Sequence, residues 1–238
     1  MLVLAGVIVG GGGLSALAAT PPMPLGRSAQ GRPIGVFEVG NRTAVRVLVF
    51  GCIHGNETGG IAIARALEHL SPSDVDLWIV PDLNPDGVAA GTRLNARGVD
   101  LNRNFPWRWR PMHGVYESGP RPFSEREARI AERLIIRLHP SVTIWFHQHL
   151  DMVWASGGNR RVERAFARES GLPYHAMPQL AGSAITWQNN TLSGTTRIRR
   201  RAPRRRTHAA GRRALRPRRA RSRTRKLGTR QPAARTRE

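Results

Sequence analysis

His54 and Glu57 are a pair whose chemistry and spacing suit metal binding. They lie three positions apart, directly after the apolar, β-branched run 45–52, where a strand is expected to give way to a helix. At such a corner, side chains three positions apart can point to the same side. A catalytic zinc ion takes imidazole and carboxylate among three protein ligands and keeps a fourth position open for water. The pair therefore predicts two ligands of one zinc ion per chain.

A histidine at a later strand end is the expected third ligand. His147 directly follows the apolar run 142–146, and His149 lies two residues further on. If the strand continues, both share one face. We favour His147 because it comes at the strand end itself, and His149 is the rival. Either fragment alone would suit a structural histidine equally well, but together they indicate a hydrolytic metal centre.

Hydrophobic patterning places these histidines within an α/β fold. Residues 45–52, 75–80 and 142–146 are typical of central, buried strands, and residues 58–70 and 124–138 show helical spacing. This order predicts a mostly parallel or mixed twisted sheet with helices on both faces. Sites on such sheets lie at the carboxyl ends of the strands. His54 and His147 both fall there.

Two local signals predict how elements begin and end. Asn84, Pro85, Asp86 and Gly87 form a pattern typical of a tight turn. Ser124, followed three residues later by Glu127, predicts a capping box at a helix start.

Charge divides the chain into a body and a tail. The formal net charge is +22, but residues 197–238 hold 19 basic residues and one acidic residue, whereas residues 1–196 hold 19 and 15. The tail, rich in like charge and poor in apolar residues, is expected to be disordered. We predict a truncated catalytic domain at residues 20–196, with no specific nucleic-acid binding. Nonspecific polyanion binding is expected of the tail alone.

The first 19 residues resemble a signal peptide. An apolar, uncharged stretch ends in Ala16-Leu17-Ala18, which is similar to a peptidase cleavage site. The run is short and interrupted by glycines, so no transmembrane span is predicted. If the segment directs export, the protein is secreted or resides in a bacterial cell envelope; otherwise it is cytoplasmic. The single cysteine, Cys52, excludes an intramolecular disulfide and is expected to pack in the core.

Five segments, taken in chain order, carry a family resemblance over about residues 22–196. They are Gly51 to Glu57, Asn84 to Gly87, Gly91 to Asn95, Gly98 to Pro106, and Phe146 to Gln148. The chain resembles the zinc carboxypeptidases of the M14 class, most closely the bacterial murein-peptide amidase (gamma-D-glutamyl-diaminopimelate amidase) type. The ordered set is specific, whereas any one segment alone would be a weak indication.

The resemblance implies roles for individual residues. The three predicted ligands would bind zinc, and Asp100 would hold the His54 ring in the tautomer that binds the metal. Arg93 would stabilise the oxyanion formed when water attacks an amide carbonyl. Asn102 and Arg103 would bind the free terminal carboxylate of the substrate, a task suited to a planar guanidinium. The implied activity is hydrolysis of the C-terminal bond of short peptides, plausibly murein peptides.

Beyond Thr196 the sequence departs from the family. An apolar strand carrying a general-base glutamate should follow, but residues 197–201 read Arg-Ile-Arg-Arg-Arg and no acidic residue recurs before Glu238. A cation cannot accept the proton that this glutamate takes from water. We interpret residues 197–238 as a frame-shifted translation, so activity as written should be impaired. A genuine polybasic tail is the rival interpretation.

Two other functions stay open at this point. A zinc deacylase of the aspartoacylase type would share the His-x-x-Glu and Asp-Leu-Asn-Arg elements. A polyanion-binding protein without catalysis is supported by the tail alone.

Overall fold

A five-stranded mixed sheet organises the part of the chain that the computed structural model describes, namely residues 21–149, 151–155 and 157–192. Two further short strands pair with each other. The strands are β1 (Met23–Arg27), β2 (Pro33–Gly40), β3 (Val45–Phe50), β4 (Val75–Val80), β5 (Val142–Trp145), β6 (Val153–Ala155) and β7 (Tyr174–Ala176). The α-helices are α1 (Gly59–Leu67), α2 (Pro85–Ala90), α3 (Arg126–Leu138), α4 (Arg160–Ser170) and α5 (Ala184–Thr191), with 3₁₀ turns at Leu101–Arg103 and Gly114–Tyr116.

The sheet order is β1-β2-β4-β3-β5. Strands β4, β3 and β5 run parallel, whereas β1, β2 and β4 pair antiparallel. The predicted mixed α/β sheet is therefore confirmed. The prediction that residues 142–146 form a central strand is wrong for the described residues, because β5 pairs only with β3 and lies at the sheet edge. A neighbour on its outer side would have to come from outside the described residues.

Helices pack against both faces of the sheet, as predicted. Leu48 and Phe50 of β3 lie in the larger core cluster with Leu134 of α3. Val49, between them in sequence, lies in a second cluster with Ala64 of α1. Successive strand side chains point to opposite faces, so this alternation shows a sheet buried on both sides.

Two predicted element boundaries are corrected by the structure. The segment expected to form a tight turn starts α2 instead: the Asn84 side chain accepts a hydrogen bond from the Gly87 amide, and Pro85 occupies the first helical position. The capping box is absent, because α3 begins after Glu125 and the Glu127 carboxylate accepts a hydrogen bond from the Ala29 amide. Glu127 thus makes a tertiary contact that the local pattern does not reveal.

The buried Asp86 carboxylate ties the segment before β2 to α2. Its oxygens accept hydrogen bonds from the Ser28 hydroxyl at 2.8 Å, the Gln30 amide at 2.9 Å and the Arg32 guanidinium at 2.7 Å. Burial alone would raise the pKa of Asp86, but these donors lower it below its ordinary value. The cluster fixes the position of the helix that follows Asn84.

None of the helices in the described ranges combines the length and the apolar character needed to cross a bilayer.

Candidate metal and carboxylate site

The structure brings His54, Glu57 and His147 together. One ligand atom from each residue lies within 4.8 Å of the others, and the two imidazole ring centroids are 4.9 Å apart. His54 and Glu57 follow β3, and His147 follows β5, so parallel neighbours bring all three to the same sheet edge. His149 is exposed and does not belong to this group.

Glycines allow the backbone approach that shapes the site. A Cβ atom on Gly55 would overlap the main chain of Gly87, and one on Gly60 would overlap the carbonyl of Gly51. The buried Asn84 side chain also donates to the Ile53 carbonyl at 3.2 Å. The loop carrying His54 therefore packs directly on the start of α2, with no room for side chains between them.

The Glu57 carboxylate lies among four nitrogen atoms. Its Oε1 atom is 3.0 Å from His54 Nδ1 and 3.2 Å from Arg93 Nη1. Its Oε2 atom is 2.9 Å from His147 Nδ1 and 3.2 Å from the Gln148 amide. Burial would raise the pKa of Glu57, but the two histidines lower it well below its ordinary value. Glu57 is therefore an anion at neutral pH.

Asp100 anchors the far side of the His54 ring. Its Oδ1 atom lies 3.1 Å from His54 Nε2 and accepts the Asn102 amide at 2.9 Å. Its Oδ2 atom accepts from Arg93 Nε at 3.1 Å and Nη2 at 3.0 Å. Because Nε2 faces a carboxylate, neutral His54 carries its proton there and directs the lone pair of Nδ1 toward Glu57 and His147.

The trio fits a zinc ion on the chemistry of its donors. His54 Nδ1 is buried and has no hydrogen-bond partner among the described residues. Glu57 Oε1 lies 3.0 Å away, but the two atoms are not aligned for a hydrogen bond. A buried nitrogen without a partner is costly unless something else binds it. Two imidazoles and one carboxylate, converging from three directions, are a donor set typical of catalytic zinc.

The two imidazoles experience opposite electrostatic effects. Burial acts to lower the pKa of His54, but Asp100 and Glu57 outweigh it and the pKa is raised. Burial lowers the pKa of His147, and the single bond to Glu57 only partly offsets it. His147 is therefore neutral, and thus able to bind a metal, at a lower pH than His54.

Arg103 and Asn102 lie on the 3₁₀ turn that follows Asp100. Arg103 Nη1 donates to the Asn102 carbonyl at 2.7 Å, and Asn102 Oδ1 accepts the Ala184 amide at 3.0 Å. Burial lowers the pKa of Arg103, while Asp100 opposes the shift. Tyr116 contacts both predicted arginines: its ring centroid is 5.5 Å from Arg93 Cζ and 5.1 Å from Arg103 Cζ.

Sequence reasoning missed the parts played by Tyr116 and Gln148. Gln148 Oε1 accepts the Gly59 amide at the start of α1 at 2.8 Å, so one residue contacts both Glu57 and the helix behind it. Its position beside His147 was the only signal that could have indicated this. Tyr116 lies in the short 3₁₀ turn Gly114–Tyr116, which has no periodic pattern, so nothing in the sequence identified it.

Cys52 is buried beside the site. Its Sγ atom donates to the His54 carbonyl at 3.0 Å, and burial, with the nearby Asp82 and Glu57 charges, raises the pKa of the thiol to about 12. A protonated, buried thiol packs and does not act as a nucleophile.

Three sequence predictions fall outside the described residues. They are the signal peptide at residues 1–19, the missing general-base strand after Thr196 and the basic tail at residues 197–238.

Comparison with protein families identifies one match. Residues 19–201 match the model of the zinc carboxypeptidase family. The match covers most of the chain and includes the segments that carry Glu57 and His147. Murein peptide amidase A of Escherichia coli K12 is 34% identical over 140 residues, which are 52% of this chain and 58% of that protein. The chain thus spans little more than half the length of this relative. Carboxypeptidase B of Astacus astacus is 26% identical over 159 residues, or 52% of each chain.

Solved structures agree with this match. Murein-tripeptide amidase MpaA from Escherichia coli O157 superposes with a TM-score of 0.63 at 30% identity, over 73% of this chain and 80% of that one. Carboxypeptidase A from Helicoverpa armigera gives a TM-score of 0.58 at 19% identity, over 71% and 56% of the two chains, and shows the shared fold. These findings favour the carboxypeptidase or amidase prediction over the deacylase and polyanion-binding alternatives.

Proposed function

The chain belongs to the zinc carboxypeptidase family, and we propose that it is a zinc-dependent carboxypeptidase or amidase that hydrolyses the C-terminal peptide or amide bond of short peptides. The observation that carries this proposal is the convergence of His54, Glu57 and His147 within 4.8 Å, next to a cluster of arginines. Metal ligands and guanidiniums side by side suit a substrate with an amide bond close to a free carboxylate.

His54, Glu57 and His147 would hold one zinc ion. When bound, zinc supplies a Lewis acid that polarises a carbonyl and acidifies water. Asp100 keeps the proton of His54 on Nε2, which leaves Nδ1 available as a ligand. Glu57, anionic at neutral pH, contributes the negative charge that makes a cation favourable in this buried setting.

The arginines would bind and orient the substrate. Arg93 is held by Asp100 and Glu57, with a quarter of its side chain exposed, so its guanidinium can face a developing oxyanion without moving far. Arg103 and the amide group of Asn102 would bind the terminal carboxylate. Asn102 Oδ1 accepts the Ala184 amide and fixes α5 in place, and within the described ranges the Nδ2 group makes no recorded hydrogen bond, so it would be able to donate to substrate.

Residues 197–237 offer no acceptor for the proton of the attacking water. Residues 197–237 contain no carboxylate, and the chain departs there from what the family requires. We therefore propose that the chain as written hydrolyses poorly, and that residues 197–238 come from a shifted reading frame. Sequencing the coding DNA around codon 196 should reveal, in another frame, an apolar strand that contains a glutamate; only stops or unrelated sequence there would contradict this.

Murein peptides are the substrate class that the relatives suggest. Two of them are a murein peptide amidase and a murein-tripeptide amidase, which are 34% and 30% identical to this chain over the aligned residues. A cell-envelope location, with residues 1–19 as signal peptide, would give access to such substrates. The basic tail, if genuine, would add nonspecific attraction to anionic polymers.

Zinc content of two histidine variants tests the proposed metal site. The unaltered full-length chain and the variants His147→Ala and His149→Ala are loaded with zinc, dialysed and measured by elemental analysis. We expect one zinc per chain for the unaltered protein and for His149→Ala, and far less than one for His147→Ala. Equal zinc in the two variants, or none in the unaltered chain, would refute the site.

The reaction is tested on a repaired chain in which the alternative frame replaces residues 197–238. Murein tripeptides and N-acyl amino acids are offered side by side. Hydrolysis of the tripeptides is expected, and exclusive hydrolysis of the N-acyl amino acids would favour a deacylase instead.

A further inference from the structure

One aromatic ring contacts both arginines of the proposed site. Arg93 Cζ lies 5.5 Å from the centroid of the Tyr116 ring and Arg103 Cζ lies 5.1 Å from it. Both distances are within the range in which a cation is attracted to the face of an aromatic ring. The two guanidiniums therefore share a single neutral partner as well as the anion Asp100.

Tyr116 is held in register with the rest of the site. Its turn, Gly114–Tyr116, is joined to the arginine-bearing segment where the Asp100 amide donates to the Glu117 carbonyl at 2.7 Å. Asn104 Nδ2 donates to the Ser118 carbonyl at 2.8 Å and fixes the same loop a second time. The ring thus moves with Asp100, Asn102 and Arg103 and not with an independent loop.

The ring is also open to solvent on one side. Tyr116 is 48% exposed. A core residue would be buried. An exposed ring fixed against two partly buried cations is therefore placed at the mouth of the site, where a ligand would pass.

Two like charges at such short range need compensation before a substrate arrives. Burial lowers the pKa of Arg103, and the nearby charge of Arg93 acts in the same direction. Asp100 offsets part of this repulsion, but it is already engaged by Arg93 and His54. The negative face of the Tyr116 ring provides a further, uncharged compensation that leaves both guanidiniums able to accept an incoming anion.

We propose that Tyr116 is a positioning residue that holds Arg93 and Arg103 together for the terminal carboxylate, so that the site selects peptides ending in a free acid over those ending in an amide. This inference rests on the proposed function, because it assigns the two arginines to substrate binding. Tyr116 lies outside the five matched segments, and it contributes the face of its ring and not its hydroxyl.

The test compares binding of two ligands to variants of the full-length, zinc-loaded chain. The ligands are one tripeptide with a free C-terminal carboxylate and the same tripeptide as its C-terminal amide, each titrated by isothermal calorimetry. Tyr116→Phe keeps the ring and removes the hydroxyl, whereas Tyr116→Leu keeps the bulk and removes the ring. Tyr174→Leu is the matched control, because the ring of Tyr174 contacts another arginine, Arg164, at 5.3 Å.

We expect Tyr116→Leu to bind the free acid roughly 5- to 30-fold more weakly, from the loss of two cation–π contacts, and to bind the amide unchanged. Tyr116→Phe and Tyr174→Leu should match the unaltered chain with both ligands. Zinc content should be equal in all four proteins, which shows that the fold is intact. Should Tyr116→Leu lose zinc, the more conservative Tyr116→Met is measured in its place, with the same expectation.

Each outcome separates the inference from the proposed function. If the unaltered chain prefers the acid and Tyr116→Leu retains that preference, Tyr116 is not a positioning residue but the proposed function survives. If Tyr116→Phe loses the preference too, the hydroxyl and not the ring is responsible, and the inference is wrong as stated. If the unaltered chain binds both ligands alike, the exopeptidase proposal fails and this inference fails with it.

Discussion

Replacing Asp100 by asparagine should weaken zinc binding while leaving all three proposed zinc ligands in the chain. The carboxylate receives donors on both oxygens: His54 Nε2 and the Asn102 amide on Oδ1, and two nitrogens of Arg93 on Oδ2. Asparagine has one acceptor oxygen and one amide group that can only donate. Whichever way the side chain turns, its amide group faces a donor, so either the His54 ring or Arg93 loses its anchor.

The expected size of the effect follows from the metal contact that is disturbed. Removing the partner that orients a metal-binding histidine weakens metal affinity by about 10- to 100-fold, or about 1.4–2.8 kcal/mol. Asp100 is fully buried, so no water replaces the lost contact and the upper half of this range is expected. A competition titration of zinc against a chromogenic chelator, carried out on the full-length chain, measures the change directly.

Asp76→Asn is the matched control for this experiment. Asp76 is also fully buried and also receives donors on both oxygens, from Arg46 at 2.7 Å and Trp78 at 2.9 Å, but it touches no proposed ligand. Both variants should lose about 1–3 kcal/mol of unfolding free energy, and only Asp100→Asn should lose zinc affinity. Equal zinc affinities for Asp100→Asn and the unaltered chain would refute the argument that Asp100 orients His54.

Four further predictions concern backbone packing, pH, catalysis and the tail. Gly55→Ala should lower the free energy of unfolding by about 3 kcal/mol or more, measured by urea denaturation, because its Cβ meets the Gly87 main chain, and it should also lower the zinc content. Gly91→Ala, at a position with free space and positive φ, should lower the free energy of unfolding by about 1 kcal/mol. Burial raises the pKa of Asp82 to about 6, although the Asn84 amide and Arg65 act to lower it. Below that pH the native state therefore keeps a proton on Asp82 that the unfolded chain releases. The contribution of Asp82 to stability should therefore fall as pH rises from about 4 to 6. Asp82→Asn should remove this part of the slope and gain about 1–2 kcal/mol at pH 7, less than the full shift would give because the group is not fully buried; an unchanged slope would contradict it. The chain as written should turn over murein tripeptides at least about 100-fold more slowly than the repaired chain, the lower bound for a general base, and equal rates would show that the missing glutamate is dispensable. Deleting residues 197–238 should abolish retention on heparin while leaving zinc content unchanged, and retention by the shortened chain would place polyanion binding in the body instead.

Strand and helix periodicity carried most of the fold prediction. The runs at 45–52 and 75–80 are apolar at nearly every position, because β3 and β4 are buried on both faces, and such strands are easily recognised. The start of α3 was misplaced because Glu127 fits a local cap as well as it fits its tertiary partner, the Ala29 amide. Sequence pattern cannot weigh a local contact against one made by a residue 98 positions away.

The convergence of His54, Glu57 and His147 was predictable because each residue follows a recognisable strand. The choice between His147 and His149 depended on where β5 ends. The two side chains share a face only if the strand continues through both residues, and a shift of one residue would turn them to the opposite face. Tyr116 was not predictable, because cation–π contacts from a loop leave no periodic trace. Gly55 and Gly87 lay inside matched segments, yet only coordinates show that the two main chains touch.

The attachment of Ser28, Gln30 and Arg32 to Asp86 limits how far the amino end can be trimmed by proteolysis. Cutting before Met23 leaves β1 and this attachment intact, so maturation near residue 19 would cost the fold nothing that the structure describes. Cutting after Arg32 would remove the donors of the buried Asp86 carboxylate. The loss would loosen α2, the helix that supports the His54 loop. A protease that cuts as far as Arg32 would thus disorganise the His54 loop without contacting it.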